Sequence, residues 1–180
     1  MIPSVPSKLD GAERQTISSS ALNSSPLTHD GRVLRRARSS DEATFDALQH
    51  AAYAPNRNLL GAEPLPLQIR AAEVLSRYEV WLLAEGDDVI GALALEPRRN
   101  DLEIWSVSVD PSRQNGGVGR VLLEAAERRA RELGLATLRL FTGEALTKNV
   151  DWYGRRGYAV ERIETLPDRR IVHMIKTISG

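Results

Sequence analysis

Val107-Ser-Val-Asp-Pro-Ser-Arg-Gln-Asn-Gly-Gly-Val-Gly-Arg120 runs from a β-branched strand end, through a glycine-rich turn, into the start of a long amphipathic helix. Such a junction aims unpaired backbone N–H groups and the positive end of a helix dipole at one point, the physical basis of a phosphate site. Gly116, Gly117 and Gly119 let backbone approach an anion with no Cβ in the way, Asn115 and Val118 lie within the same turn, and Gln114 and Arg120 add side-chain donors. Spacing excludes two other phosphate loops. No Gly-x-x-x-x-Gly-Lys-Ser/Thr is present, and Asn115-Gly-Gly-Val-Gly-Arg120 does not fit Gly-x-Gly-x-x-Gly.

Outward from this stretch, alternating and helical periodicities predict the elements. A first strand is expected at Val33–Arg38, then a helix capped by Ser39 or Ser40 with Phe45, Leu48, Ala52 and Tyr53 on one face. Residues 55–66 read as a loop and residues 67–77 as a second short helix. Strands at 78–84 and 88–95 flank Glu85-Gly-Asp-Asp88, a hairpin turn, and a third follows at 102–109. Val118, Leu122, Ala125, Ala126, Arg129 and Leu133 recur at helical spacing until Gly134 stops the helix. The strand at 137–142 must run parallel to the one before that helix, because a helix joins them. A helix at 147–155 and strands at 158–164 and 170–176 complete the pattern.

The composition is that of a soluble globular domain, with 42% hydrophobic and 27% charged residues. Lys plus Arg and Asp plus Glu balance at 24 each, so no general field favours nucleic acid or an anionic membrane. The run Arg128-Arg-Ala-Arg131 is flanked by Glu124, Glu127 and Glu132 and reads as a solvated helix face. With 0 cysteines, disulfides and a sulfur nucleophile are excluded and a cytoplasmic location is expected; 3 scattered histidines have no metal-ligand spacing, so no metal is expected. Residues 1–31, rich in Ser and Pro and without periodicity, are expected to be a disordered tail lacking a signal-peptide core, with one domain at 32–180. A homodimer is compatible with this sequence.

Gln114, Gly117 and Gly119 match the pattern Gln/Arg-x-x-Gly-x-Gly/Ala after a Val-x-Val-Asp-Pro strand end, and Thr147-Lys-Asn-Val-Asp-Trp-Tyr-Gly-Arg-Arg-Gly-Tyr158 matches Asn…Tyr-x-x-x-Gly-Tyr/Phe. Together with the strand pair Val80–Ala84 and Val89–Leu95, they give the chain, over roughly residues 33–178, a resemblance to the GNAT superfamily of N-acetyltransferases. The resemblance implies an α/β fold, an α+β sandwich in layers: a mixed, mostly antiparallel sheet of about six to seven strands, a splayed parallel pair in its middle, and helices on both faces. It implies acetyl-CoA as co-substrate, its pyrophosphate held by residues 114–120, and its pantetheine and thioester by the backbone of Val107 and Val109. Asn149 would contact the cofactor and Tyr153 would protonate the departing thiolate, a phenol of ordinary pKa about 10 being matched to that task.

The acceptor amine's base is the open position. Glu103, assigned the strand parity of Trp105, Val107 and Val109, is the candidate beside a reading as a solvated strand charge; family members often carry the acid nearer the strand end, where Trp105-Ser106 stands here. Glu63 is a second carboxylate that could meet a cationic acceptor, and Trp81 or Trp105 could line its pocket. An enzyme acetylating an amine by direct attack is the first expectation. A catalytically weak acyl-CoA sensor of the same fold is the alternative.

Overall fold

The computed structural model describes residues 27–29 and 31–179. Eight strands form one sheet: β1 (Leu27–His29), β2 (Arg32–Arg36), β3 (Glu79–Glu85), β4 (Asp88–Pro97), β5 (Leu102–Val109), β6 (Thr137–Gly143), β7 (Ala159–Thr165) and β8 (Arg170–Thr177). Their spatial order is β1-β2-β3-β4-β5-β6-β8-β7, with β8 inserted between β6 and β7. Every neighbouring pair is antiparallel except β5 and β6. The helices are α1 (Glu42–Tyr53), α2 (Arg57–Leu60), α3 (Ala71–Arg77), α4 (Val118–Glu132) and α5 (Thr147–Gly154). The long helix α4 makes the crossover between β5 and β6, which is why that pair is parallel.

The sheet is buried on both faces. Leu93, Leu95, Leu102, Ile104, Leu138 and Leu140 pack under α4 with Leu122 and Ala126. Leu82, Ala92, Ala94 and Trp105 pack on the opposite face with Phe45 and Leu48 of α1 and Val74 of α3. Double-sided burial explains why β3 and β4 read as continuous apolar runs and not as alternating ones. Gly91 lets α4 lie close on the sheet, since a Cβ there would stand 2.9 Å from Val118 Cγ1.

Two expectations are corrected at the N-terminal side. The stretch read as a tail to residue 31 contains β1, which pairs antiparallel with β2 from Leu27↔Leu34 to His29↔Arg32. Three residues are too few for alternation to register. Residues 1–26 of that stretch lie outside the described residues. The loop read at 55–66 holds the four-residue α2, closed by Gly61 at φ 65°.

The decisive feature is where the parallel pair ends. Leu102↔Leu138, Glu103↔Arg139 and Ile104↔Leu140 are partners, and beyond them β5 and β6 part company. At the same point β5 carries a bulge: Ala94 faces Ser106 while Leu95 faces Ile104, leaving Trp105 as the extra residue. The bulge bends β5 away, and a cleft opens between the two strands.

Candidate active site

The cleft is floored by Ile104 to Val107 and by Leu140 to Gly143. Tyr53 and Asn56 enter from the end of α1, Leu60 and Pro64 to Pro66 from the connector to α3, Leu146, Asn149 and Tyr153 from α5, and Arg169 and Ile171 from β8 and the turn before it. Val107, Asn149 and Tyr153 are thereby brought to one site, and Val109 continues β5 from it toward the glycine-rich turn.

That turn has the backbone the spacing calls for. Asn115 at φ 65° and Gly117 at φ 79° take left-handed conformations, and Gly117 begins α4 with no side-chain cap. The first-turn N–H groups of Val118, Gly119 and Arg120 therefore face outward without an intrahelical acceptor. Gly119 has a packing duty as well, because a Cβ would sit 3.0 Å from the ring of Trp152. Trp152 in turn lies edge-on to Tyr153 at 4.9 Å and under the Arg156 guanidinium at 3.8 Å. Arg120 pairs with Glu124 at 2.9 Å, one turn along its own helix. Gln114 and Asn115 are exposed.

The turn is braced by residues that no motif singles out. Glu85 accepts from Arg32 at 3.0 Å and from Arg113 at 2.6 Å, and Arg32 also donates to the Gly116 carbonyl at 3.3 Å. These two guanidiniums hold the Glu85 carboxyl below its ordinary range, the Arg32 bond contributing most. The hairpin β3–β4 and the strand β2 thus fix the loop in place.

Tyr153 lies in the cleft, and burial pushes its phenol pKa well above the ordinary value, with Tyr53 nearby adding to the effect. The shift keeps this phenol protonated at neutral pH. Asn149 is exposed at the cleft on the first turn of α5, and neither it nor Thr147 caps that helix. Ser106, at the bulge, has a buried hydroxyl with no hydrogen-bond partner.

Two expectations fail on geometry, and a third is decided between two residues. Glu103 does not share a face with Val107 and Val109, because the bulge at Trp105 inverts the alternation: Trp105 packs on the α1 face and the two valines on the α4 face. The Glu103 carboxylate is bound by Arg98, is pushed upward in pKa by burial, and is not part of the cleft lining. The Glu63 carboxylate is held by Arg57 at 2.7 Å, and only its backbone carbonyl turns toward the site, accepting from Arg169. Trp81 lies in the core beneath Arg36, whereas Trp105 both stacks on Tyr78 at 4.7 Å and lines the cleft.

Tyr53 is the main residue that sequence reading did not place. Its hydroxyl donates to the Val107 carbonyl at 2.7 Å and accepts from the Val107 N–H at 3.1 Å. The phenol thus satisfies both backbone groups that the splay leaves without a strand partner. Burial raises its pKa to about 12.

A half-open sheet and an uncapped glycine-rich helix start thus meet at the end of one splayed strand. The chain matches the model of the acetyltransferase (GNAT) family over residues 45–158. It belongs to that family. An amino-acid acetyltransferase of Pseudomonas putida is 36% identical over 105 residues, 56% of this chain and 23% of that protein, so the chain spans about a quarter of that relative's length. Among solved structures, the ribosomal-protein-S18-alanine N-acetyltransferase of Escherichia coli superposes with a TM-score of 0.67 at 19% identity, covering 83% of this chain and 95% of that one. A GNAT family acetyltransferase of Elizabethkingia anophelis with acetyl-CoA bound superposes with a TM-score of 0.63 at 17% identity, covering 83% and 100%. The mixed sheet with one parallel pair and flanking helices is the fold these structures share with it.

Proposed function

We propose that this chain transfers an acetyl group from acetyl-CoA to a primary amine of a small molecule or peptide, by direct attack within a ternary complex. One observation carries the reading: the parallel pair stops at Ile104↔Leu140, which leaves the Val107 backbone without a β6 partner, held only by the Tyr53 hydroxyl, in a cleft that also holds Tyr153. The loop at 114–120 would take the pyrophosphate on its outward N–H groups. Acetyl-CoA supplies an activated thioester. The Val107 N–H, once released by Tyr53, donates to the thioester oxygen as negative charge grows on it. The amine adds to the carbonyl carbon, the C–S bond breaks, and the Tyr153 phenol gives its proton to the departing sulfur.

No carboxylate lines the cleft among the described residues, so a dedicated carboxylate base is absent from this reading. The acceptor enters as free amine, and its proton passes to solvent. A cysteine-free chain cannot form an acetyl-enzyme on sulfur, which favours the direct route. It also suits the reducing cytoplasm, where we place the protein. No helix among the described residues is long and apolar enough to cross a membrane.

The second reading is an acyl-CoA sensor with the same cleft. The Tyr53 hydroxyl already seated on Val107 favours it. Release of free CoA thiol from acetyl-CoA separates the two. Thiol appearing only when an amine mixture is added supports the transferase, and tight acetyl-CoA binding with no amine-dependent thiol supports the sensor.

A further inference from the structure

The walls of the cleft are largely apolar, contributed by Leu60, Pro64, Leu65, Trp105, Phe141 and Ile171. Among the described residues that line it, one carries a formal charge, Arg169. Its side chain is only 6% exposed, although it belongs to the turn between β7 and β8. Nη1 donates to the Glu63 carbonyl at 2.5 Å, and Nε and Nη2 donate to one oxygen of Asp168 at 3.1 and 2.5 Å. These bonds use three of the guanidinium's five N–H groups and leave two. Gln68 donates to the same Glu63 carbonyl at 2.9 Å, so the connector that receives Arg169 is itself fixed. The nearby carboxylates do not line the cleft. Glu63 is taken by Arg57, and Asp168, which pairs with Arg169, is 54% exposed, so water screens its charge.

We propose that the acceptor is an amine that also carries a carboxylate, a free amino acid, and that Arg169 reads that carboxylate with its two remaining N–H groups. The inference rests on the acetyl-transfer reading and narrows it. A planar, pre-positioned guanidinium matches a carboxylate's two oxygens, and its low exposure strengthens the bonds. A polyamine or aminoglycoside would bring further positive charge to a cleft whose one formal charge is already positive. An internal lysine of a protein would offer the amine without the anion.

The test compares each free amino acid with its own amide and with the amine lacking the carboxyl group, using thiol release from acetyl-CoA and rates expressed per unprotonated amine. For the preferred acceptor, kcat/KM should exceed that of its amide by about 10- to 100-fold, the range of a charged hydrogen-bonded pair. In Arg169→Gln this ratio should collapse toward one, chiefly through KM, and Arg169→Lys should restore part of it. Amides turned over as well as acids by the unaltered protein overturn the inference while leaving acetyl transfer standing. A ratio that survives in folded Arg169→Gln also overturns it. Thiol release with no amine of any kind overturns the acetyl-transfer reading and this inference with it.

Discussion

Tyr53 and Val107 are 54 residues apart in the chain, yet one hydroxyl closes both backbone groups of the residue that the proposed acyl transfer assigns to the thioester. A thioester oxygen and the Tyr53 oxygen cannot share the Val107 N–H. Tyr53→Phe keeps the ring and removes the competitor, so acetyl-CoA affinity should rise about three- to tenfold, a fraction of one neutral hydrogen bond. The same change leaves Val107 unpaired in the free protein, and its melting temperature should fall. Calorimetry showing weaker acetyl-CoA binding would instead make Tyr53 a cofactor ligand. At Tyr153 the expectation is opposite: Tyr153→Phe should lower turnover more than tenfold with acetyl-CoA affinity nearly intact, since general acid catalysis is worth about 10²–10⁴-fold. Unchanged turnover would mean that the thiolate leaves without this proton. The place of Asn149 and Tyr153 at the cleft, and of the glycine-rich turn at the start of α4, was legible because local spacing sets it. Tyr53 and Arg169 were not, because their partners stand 54 and 106 residues away. Glu103 was misplaced for a different reason: a single bulged residue reverses facing, and nothing in Ile104-Trp105-Ser106 announces a bulge.

At the scale of elements, the strand and helix pattern was readable wherever a run was long enough to show its period, as in β3 to β5 and α4. It failed at β1 and α2, whose three and four residues carry less than one full pattern. The clip between β2 and α1 was equally hidden. Arg35 donates to both oxygens of Asp41 at 2.8 Å, and the Arg38 N–H reaches the same carboxylate at 2.7 Å. The Arg35 bond, more than any other cause, lowers the Asp41 pKa from 3.8 to about 2. A folded-state pKa below the unfolded one means that the carboxylate stabilises the fold above the unfolded value, and that this contribution fades as pH falls from 3.8 through about 2. Asp41→Asn should therefore be less stable than the parent by a constant amount at neutral pH. The gap should narrow between about pH 4 and pH 2, the window set by these two values. Denaturant titrations giving a pH-independent gap would assign the effect to helix capping by either side chain.

On the scale of the whole molecule, apolar layers cover both faces of the central strands, and where β5 and β6 splay apart the Val107 backbone lacks a strand partner. A ligand that binds there and on the α4 start ties β5, β6 and α4 together and should stabilise the folded chain as a unit. At a hundredfold excess over Kd the gain is about 2.7 kcal/mol, and at roughly 2–4 °C per kcal/mol for a fold of this size the melting temperature should rise by about 5–10 °C with acetyl-CoA. Gly117→Asp is the sharper control of the two loop glycines. Its Cβ meets no atom within 4 Å, whereas a Cβ at Gly119 would strike Trp152 and confound binding with packing. The Gly117 variant should start from a lower melting temperature, because φ 79° strains a side-chain-bearing residue. Its new carboxylate faces the pyrophosphate, so the acetyl-CoA shift should vanish. A shift of full size in the folded variant would move the pyrophosphate away from the glycine-rich turn. No shift in the unaltered protein would remove acetyl-CoA from the account of this cleft.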